Sequence, residues 1–497
     1  MLQPIREKVE AKTAAAVTVE KTKTPTLFDA YSRKLGAGPV APTLELEPPK
    51  WDADVLVVGA GWAGLSAARK LIDAGVRTQV VEARHEIGGR IRTDTTSLSI
   101  PFDHGAAWIH SWTDDQGKPL NPLTAKALAA GIKLSETTLT TGLYIDGRKA
   151  TPEELQQYVA TLEKYDDIIS AAAEKGLDVP VTDLLPKGLP FGEDAAKNLG
   201  ELDMGQGLGA LSSKDTGLQV MTGHDALPAE GQMAVLKATV GEVPVRTDTP
   251  ITKVKKVRGG YEVTTAAGET IRTRRVLLTV STGVLASGKI EFDPPLPKWK
   301  TDAIRALPMG VLDKVAIEFD TNVFTLPDGT EQPVNDWVMS HESGGSTPAA
   351  FLMRPGGANI AVGFAGGNDA LQLERQTDQQ MVEHFMKKLR GIFGPTIDDH
   401  VKATVVTRWG QDPWTLGAYS YAKPGMAEMR AKLAEPIDDR LYFAGEATAP
   451  AASAQMIHGA YQSGLTAAAA LIESLMREDA VYAQLAARQG TLGFEAR

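Results

Sequence analysis

The alternation of apolar and polar residues between positions 53 and 82 predicts a strand, a helix and a second strand. The apolar run 53–58 leads into a glycine-rich turn, a segment with helical periodicity follows and stops at Gly75, and a second apolar run ends at Glu82. Short apolar runs bounded by turn residues are typical of buried strands, and a glycine after a periodic segment is typical of a helix end. This order predicts two parallel strands joined by a crossover helix.

The turn between the first strand and the helix carries a dinucleotide-binding pattern. Gly59, Gly61 and Gly64 have the spacing GxGxxG. In this pattern the first glycine allows a tight turn, the second lets a pyrophosphate approach the backbone, and the third lets the helix pack on the strand. Glu82 stands at the end of the second strand, where a carboxylate accepts hydrogen bonds from ribose hydroxyls. A glycine-rich turn without a ligand is the alternative interpretation.

A second glycine-rich loop follows directly and bears three arginines. Gly88 and Gly89 let the backbone lie close to a flat or phosphorylated ligand, and Arg84, Arg90 and Arg92 offer forked donors to phosphate oxygens. A surface loop with solvated arginines is the alternative for each of these side chains.

Composition narrows the class of protein. With 497 residues, 43% hydrophobic and 23% charged, the chain is typical of a soluble globular protein of two or three domains. A net charge of −10 without a basic block argues against a nucleic-acid partner. The absence of cysteine excludes disulfides, thiolate nucleophiles, Cys-ligated zinc and a thioether-linked cofactor.

The N-terminal 50 residues differ from the rest of the chain. They carry charges throughout and lack the apolar core of a signal peptide, and no stretch of the chain has the apolar length of a membrane span. We therefore expect a cytoplasmic protein. Residues 1–50 are expected to be an extension, with a short amphipathic helix over 5–20 and a Pro/Gly-rich linker over 36–49.

The two glycine loops, GAGWAGLSAARKLIDAG and VVEARHEIGGRIRT, resemble the FAD-binding entry of the flavin-dependent amine oxidase superfamily. This superfamily includes monoamine oxidases, polyamine oxidases, lysine-specific histone demethylases and L-amino acid oxidases. Three later segments extend the resemblance in family order: VLLTVSTGVLASGKIEFDPPLP, TVVTRWGQDPWTLGAYSY and LYFAGEATAPAASAQMIHGAYQSGL. The resemblance covers about residues 50–475 and implies FAD as cofactor, bound non-covalently because no cysteine is present to tether it.

The positions of these motifs predict the fold class and the domain limits. We expect an α/β plus α+β protein, in which a discontinuous substrate-binding domain is inserted into a Rossmann-like FAD-binding domain. The segment 151–176 is rich in helix formers, 311–319 and 359–367 alternate like strands, and 243–280 predicts three short strands. The predicted limits are 1–50 for the extension; 51–115, 222–305 and 432–478 for the FAD-binding domain; 116–221 and 306–431 for the substrate-binding domain; and 479–497 for a C-terminal tail.

The resemblance implies further cofactor contacts. Val254 matches the position whose backbone binds the adenine, Glu446 the acid near the ribityl or phosphate groups, and Ile457 an amide that faces the isoalloxazine edge. A helix N-terminal acid stabilised by the helix dipole is the alternative for Glu446. Trp409 and Gly445 complete the predicted cofactor-binding set.

Lys314 and Tyr419 are the predicted catalytic residues. Periodicity alone indicates a lysine on a half-exposed strand, whereas the resemblance implies a lysine held over flavin N5 through a water, with a pKa lowered by burial. Tyr419 matches the tyrosine that stands near-perpendicular to the flavin. Core packing at the domain joint is the alternative for this tyrosine.

Four residues are expected to bind substrate. Trp108 and His110 resemble a polyamine oxidase segment in which the second position touches the substrate cation, here followed by Ser111 in place of a glycine. Trp414 belongs to the aromatic wall. Met456 stands where monoamine oxidases have a second cage tyrosine, which argues against small arylamines as substrates.

The resemblance implies oxidation of an amine to an imine, hydrolysed to an aldehyde or ketone plus ammonia or an amine, with reduction of O2 to H2O2. An L-amino acid oxidase is one alternative, for which Arg354 and Arg408 are available as carboxylate anchors. A catalytically silent flavin-bound scaffold is another. The chain lacks the long helical insertion of chromatin-directed members, so histone substrates are not expected, no metal site is expected, and a homodimer is left open.

Overall fold

The structure is a computed structural model that describes residues 50–219, 224–343 and 349–492, with the side chains of 138–141 and 483–492 left out. The extension 1–49, with its predicted helix and linker, lies outside the described residues. Within the described part of the chain, no helix combines the length and the apolar character needed to cross a membrane.

A seven-stranded sheet contains the predicted strand–helix–strand unit. Its strand β1, next to the edge strand β2, is parallel to β2 on one side and to β11 on the other, while β9, β10 and β11 form an antiparallel meander. The parallel pair, the crossover helix and the three strands predicted in 243–280 are confirmed. Numbered in chain order over the whole protein, the strands of this sheet are β1 (Ala53–Val58), β2 (Thr78–Val81), β9 (Ile251–Val257), β10 (Gly260–Thr265), β11 (Thr270–Leu278), β12 (Glu291–Asp293) and β20 (Leu441–Phe443).

A nine-stranded, mainly antiparallel sheet forms the second layer of strands. Its strand β14 lies between β17 and β18 and confirms the alternating segment predicted at 311–319. The strands are β5 (Ile109–Thr113), β6 (Leu134–Ile145), β7 (Arg148–Lys149), β8 (His224–Pro228), β14 (Leu312–Phe319), β15 (Asp336–His341), β16 (Ala349–Met353), β17 (Ile360–Gly366) and β18 (Val401–Val406). Two short ribbons pair β3 (Thr93–Asp94) with β4 (Phe102–Asp103), and β13 (Met309–Gly310) with β19 (Tyr419–Ser420).

Twelve α-helices surround the sheets in the described part of the chain, giving a mixed α/β fold. The predicted helix at 151–176 is confirmed as α3, which begins with a capping box between Thr151 and Glu154. The helices are α1 (Trp62–Asp73), α2 (Pro122–Ala129), α3 (Pro152–Glu174), α4 (Gly192–Lys197), α5 (Ser213–Gly217), α6 (Gln232–Val240), α7 (Thr282–Ala286), α8 (Lys298–Ala306), α9 (Gly367–Leu373), α10 (Asp378–Phe393), α11 (Met429–Ala434) and α12 (Ile457–Leu492).

Two features of the structure bear on the predicted segments. Strands β5 and β8 belong to the nine-stranded sheet, although both were assigned to cofactor segments, because they pair with each other and β8 pairs with β6. Helix α12 continues without a break through 479–492, so this part of the predicted C-terminal tail is helical. The domain limits themselves stay a prediction.

Close backbone contacts hold α1 against the seven-stranded sheet and against α12. A Cβ atom built on Gly64 would lie 1.9 Å from the carbonyl oxygen of Gly59, and one built on Gly464 would lie 2.2 Å from that of Ala63. Val55 and Val57 of β1 pack against α1 and α12, and Leu56 and Val58 on the other face pack in a cluster with residues of β9, β10 and β11. The role predicted for Gly64 in helix–strand packing therefore agrees with its position.

These contacts predict that Gly64→Ala destabilises the protein. The added methyl would overlap the Gly59 carbonyl, and we expect the free energy of unfolding to fall by about 1–3 kcal/mol, measured by thermal and urea denaturation. Gly207→Ala is the matched control, since its φ is −62° and the nearest atom to its added Cβ is 4.0 Å away. Equal stability of the two variants would contradict the packing role of Gly64.

Candidate active site

A cavity of about 570 Å³ is lined by residues from both large sheets and their connecting loops. It brings together sixteen of the predicted site residues and leaves out Gly64, Arg92 and Val254. The predicted residues that line it are Gly59, Gly61, Glu82, Arg84, Gly89, Arg90, Trp108, His110, Lys314, Trp409, Trp414, Tyr419, Gly445, Glu446, Met456 and Ile457.

The two glycine loops lie against each other at one part of this cavity. Gly59 has a φ of +107°, and a Cβ atom on it would lie 2.6 Å from Thr279 Oγ1. The Gly88 amide donates to the Ala60 carbonyl (2.8 Å). Gly61 precedes the first turn of α1 without a side-chain cap, so the first amides of this helix have no acceptor within it. Such amides suit an anionic phosphate group.

Glu82 lies at the end of β2, as the spacing predicts. It is 7% exposed and lines the cavity. One carboxylate oxygen accepts from the Ala60 amide (2.7 Å) and the other from the Arg84 amide (3.0 Å). The carboxylate is thereby fixed beside the glycine turn, and its remaining lone pairs suit ribose hydroxyls.

The three arginines of the second loop have different surroundings. Arg84 pairs with Asp412, and Arg90 pairs with Glu446 at 2.7 Å, so both guanidinium groups are already held by carboxylates. Arg92 is half exposed, pairs with Glu86 at 3.1 Å and does not line the cavity. The prediction that Arg92 binds phosphate is therefore corrected, because this side chain points to solvent.

Glu446 is the centre of a buried polar network. It accepts hydrogen bonds from Arg90, from the Ser420 amide (3.1 Å) and from the Ser420 hydroxyl (2.7 Å). Ser420 Oγ in turn accepts from Arg430 (2.9 Å), which forms a two-pronged pair with Asp215 (2.7 Å each). Burial alone raises the pKa of Glu446, but the two arginines hold this pKa below its ordinary value.

Val254 is not where the resemblance implies. It is buried on β9, between Val263 of β10 and Phe292 of β12, and it lines a separate cleft of about 380 Å³. Because β9 has paired strands on both sides, the backbone of Val254 is committed to the sheet. The stretch 249–251 at the start of β9 lines the large cavity instead.

Lys314 is buried, which excludes the half-exposed strand expected from periodicity. It is 5% exposed, and every β14 residue except Leu312 is buried. Its Nζ donates to the carbonyls of Asp103 (2.9 Å) and Gly105 (2.6 Å), which leaves the third ammonium hydrogen for the cavity. Burial lowers the pKa of Lys314 to about 8, although the nearby Asp103 carboxylate opposes this shift.

Aromatic rings surround this ammonium group. Trp108, Trp337 and Phe364 line the cavity and form one cluster, with centroid separations of 4.9–6.1 Å. Lys314 Nζ lies 5.5 Å from the Trp108 centroid and 5.7 Å from that of Phe364. Trp337 and Phe364 were missed by sequence reasoning, since each sits on an ordinary apolar strand. The cluster gives the site a water-poor wall.

Two further aromatic residues approach from the segment 409–419. The Trp409 indole donates to the His104 carbonyl (3.0 Å), next to the Gly105 carbonyl that holds Lys314. The Tyr419 hydroxyl donates to the Leu202 carbonyl (3.1 Å), and burial raises its pKa, so the phenol stays protonated. Both rings line the cavity, and both are fixed by hydrogen bonds to backbone carbonyls.

Trp414 was predicted to bind substrate, and its neighbours in the structure are Lys289 and Asp412. Lys289 Nζ is 5.6 Å from the centroid of the Trp414 ring. The backbone amide of Trp414 donates to Asp412 Oδ1 (2.9 Å). Because Asp412 pairs with Arg84, this turn is held at the Glu82 loop. Trp414 thus lies among predicted cofactor residues, and its role in binding substrate stays a prediction.

Acidic side chains gather where His110 and Tyr419 face the cavity. His110 Nδ1 is 2.8 Å from Asp225. Burial raises the pKa of Asp225, but the hydrogen bonds and charges of its neighbours, His110 and the Ser111 amide foremost, together hold it below its ordinary value. An ionised carboxylate has no proton to give, so the Nδ1–H of His110 is the donor to Asp225. Asp203 is exposed to the cavity beside these groups. Removal from bulk water raises the pKa of Asp203 to about 7.

Two other acids, Glu163 and Asp166 of α3, also line the cavity. A π-helical turn at Asn198–Leu202 directly precedes Asp203 and presents it to the interior. Such turns often mark functional sites, but they leave no clear signal in a sequence. None of these three acids was predicted.

The residues present fit a bound dinucleotide. Gly61 and Gly89 face each other across space that a side chain would fill, with a Cβ on Gly61 only 4.0 Å from the Gly89 Cα. Two buried polar atoms on the cavity wall, Trp62 Nε1 and Thr415 Oγ1, have no protein partner. Fold and site together define a dinucleotide-binding oxidoreductase with a long, partly aromatic cavity.

Comparisons with known proteins specify the family. The Flavin containing amine oxidoreductase family matches residues 62–472, and this chain belongs to that family. Polyamine oxidase 4 of Oryza sativa subsp. japonica is 30% identical over 480 residues, covering 89% of this chain and 92% of that protein. Lysine-specific histone demethylase 1 homolog 2 of the same plant is 30% identical over 458 residues, covering 86% of this chain and 58% of that protein.

A solved structure shows the same fold. Putrescine oxidase bound to putrescine superposes with a TM-score of 0.67 at 19% identity, covering 85% of this chain and 99% of that one. The family implies a flavin cofactor, and the chain is a flavin amine oxidoreductase enzyme.

Proposed function

We propose that this enzyme oxidises amines that carry a second cationic group, such as diamines or polyamines, with non-covalently bound FAD and molecular oxygen. The observation that carries the proposal is that Glu163, Asp166 and Asp203 line the same cavity as the Gly59–Gly61 turn and the buried Lys314 ammonium. The polyamine oxidases among the relatives support it. The test is peroxide release with a panel of mono-, di- and polyamines.

The glycine turn, the first amides of α1 and Glu82 would hold the pyrophosphate and ribose of FAD. When bound, FAD accepts the hydrogen of the amine carbon and transfers electrons to oxygen, which gives the imine and H2O2. Water then hydrolyses the imine to a carbonyl compound and releases ammonia or an amine. The aromatic wall of Trp108, Trp337 and Phe364 limits access of bulk water to the reacting carbon.

Lys314 would hold a proton on Nζ near the reacting centre. Because its pKa is about 8, the ammonium form predominates below this pH and the amine form above it. Its two carbonyl partners fix the direction of the third N–H bond. A charge held in this way stabilises negative charge that develops as oxygen is reduced.

The acidic region of the cavity, formed by Glu163, Asp166 and Asp203, would bind the second cationic group of the substrate. Burial raises the pKa of Asp203 to about 7, His110 opposes this shift, and Asp166 and Asp225 add to it. The carboxyl group of Asp203 therefore becomes anionic as the pH rises through about 7. The neutral amine then faces the aromatic wall, while the charged end stays at the carboxylates.

The alternatives from the sequence have less support. Neither Arg354 nor Arg408 lines the cavity: Arg354 pairs with Glu331, and Arg408 pairs with Asp378. A carboxylate anchor for an L-amino acid would have to come from Arg84 or Arg90, which are already paired. A silent scaffold would have no need for a buried, poised lysine, and absence of peroxide with every amine would favour it.

Non-covalent binding predicts that acid precipitation of the yellow protein releases FAD. The chain has no cysteine to form a thioether. The flavin is measured by absorbance and chromatography in the supernatant after denaturation. Flavin that stays with the precipitated polypeptide would rule out this part of the proposal and point to a histidine or tyrosine linkage.

Lys314→Met should leave flavin bound but slow the oxygen half-reaction by about one to three orders of magnitude, roughly 1.4 to 4 kcal/mol of barrier. The reason is that the variant lacks the Lys314 ammonium, which is the only proton donor that we place near the reacting centre. Stopped-flow absorbance measures anaerobic reduction and reoxidation separately. Lys255→Met, on the half-exposed part of β9, is the control. Wild-type rates for Lys314→Met would remove Lys314 from the site.

Asp203→Asn should raise the KM for 1,4-diaminobutane by about tenfold or more while it changes the KM for butylamine little, because a charge-assisted hydrogen bond to the second ammonium is lost. In the wild type, the preference for the diamine should grow as the pH rises through about 7. Oxygen consumption at several pH values measures both effects. Glu153→Gln, an exposed acid on α3, is the control. Equal changes for both amines would contradict the assignment.

A further inference from the structure

Two buried carboxylates lie behind the cavity wall, on the side of β14 away from the Lys314 side chain. Asp313 of β14 is 1% exposed, and Glu374, which caps the end of α9, is 4% exposed. Neither of them lines the cavity. The proposed chemistry therefore does not use them, and their presence in the interior needs a physical reason, since an isolated buried charge is costly.

Both carboxylates hold the segment 407–410. Asp313 Oδ1 accepts from the Trp409 amide (2.8 Å) and from the Thr407 hydroxyl (3.0 Å). Glu374 Oε1 accepts from the Gly410 amide (2.6 Å). The segment that carries Trp409 is thus fixed from two elements, the strand of Lys314 and the helix α9.

No cation neutralises this pair among the described residues. Neither carboxylate takes part in an ion pair. Arg408 donates to the backbone carbonyl of Glu374, not to its carboxylate, and its charge pairs with Asp378. Asp369, the other acid of α9, pairs with Lys197, and Lys314 faces the cavity. The partner of Asp313 on β17 is Ala365, and its partner just after the end of β18 is Thr407, so neither neighbour brings a titratable group to it.

One oxygen of the pair indicates how it is stabilised. Asp313 Oδ2 is buried and has no hydrogen-bond partner in the described structure. The other oxygen, Oδ1, and Glu374 Oε1 bind the consecutive amides of Trp409 and Gly410, which brings the two carboxyl groups together, and the Glu374 carboxylate acts on Asp313. Two carboxylates in this arrangement form a hydrogen bond only if one of them is protonated.

We propose that Asp313 and Glu374 share one proton and act as positioning residues that hold Trp409 against the strand of Lys314. The shared proton leaves a single negative charge, which the Trp409 and Gly410 amides and the Thr407 hydroxyl solvate. Loss of this proton would put two charges in contact and loosen the 407–410 segment beside the cavity.

The direction of the pH effect follows from the protonation of the folded state. Burial, followed by the Glu374 carboxylate, raises the pKa of Asp313 to about 8. The folded protein therefore binds more protons than the unfolded chain between about pH 4 and pH 8. The contribution of Asp313 to the free energy of unfolding is therefore fully present below about pH 4 and is lost as the pH rises toward 8. Asparagine at this position has no such dependence.

Infrared spectroscopy of the purified holoenzyme tests the shared proton directly. The carbonyl stretch of a protonated carboxylic acid is separate from the amide bands. Because Asp203, with a pKa of about 7, also contributes a carbonyl band near pH 7, the band is read from difference spectra. Wild type minus Asp313→Asn and wild type minus Glu374→Gln should each show a band at pH 7 that disappears as the pH rises through about 8. Asp336→Asn is the matched control: it is a buried acid on β15, with a pKa of about 6. Difference spectra without this band, for either variant, would overturn the proposal.

Hydrogen exchange tests the positioning role. After correction for intrinsic rates, protection of the Trp409 and Gly410 amides in the wild type should fall by about tenfold or more between pH 7 and pH 10. Asp313→Asn should keep this protection across the range, because its amide accepts from Trp409 and donates to Glu374. Asp313→Ala should lose it at every pH. The same pH dependence in wild type and Asp313→Asn would contradict the proposal, and none of these readouts requires amine oxidation.

Discussion

The buried carboxylate of Glu446 is the interaction on which the rest of the site depends. It joins Arg90 of the second glycine loop to Ser420 of β19, and through Ser420 to the pair of Arg430 and Asp215. These groups come from distant parts of the chain and share one desolvated network. Breaking such a network by removing one partner leaves an uncompensated buried charge, which typically costs about 3–5 kcal/mol. The geometry of the cofactor loop and of the Tyr419 strand is therefore set together.

Local patterns predicted the elements whose determinants are local. The unit β1–α1–β2, the helix α3 and the strand β14 follow from periodicity, capping residues and glycines within a few positions. Burial of Lys314 does not, because a strand pattern cannot show what covers its second face. Trp337 and Phe364 likewise reach the site only through the strand order of the nine-stranded sheet. Pairing between strands is a property of the whole chain.

The errors have similar physical causes. A motif fixes the order of residues, but not the partner that each side chain finds. Arg92 pairs with Glu86 at the surface. The backbone of Val254 is committed to the sheet, because β9 has paired strands on both sides. The acids at 163, 166 and 203 were missed because isolated carboxylates look the same in a sequence whether they face water or a cavity. Only the folded structure, which brings these three acids to one cavity, distinguishes them from acids that face water.

Met456 has a consequence for the lifetime of the enzyme. Its thioether is 6% exposed and lines the cavity in which the proposed reaction produces peroxide. Methionine is converted by such oxidants to a sulfoxide, which is polar where the thioether is apolar. In a chain without thiols to react first, this side chain would accumulate damage in proportion to turnover. The number of catalytic cycles, rather than time or temperature, would then set how long the pocket keeps its shape.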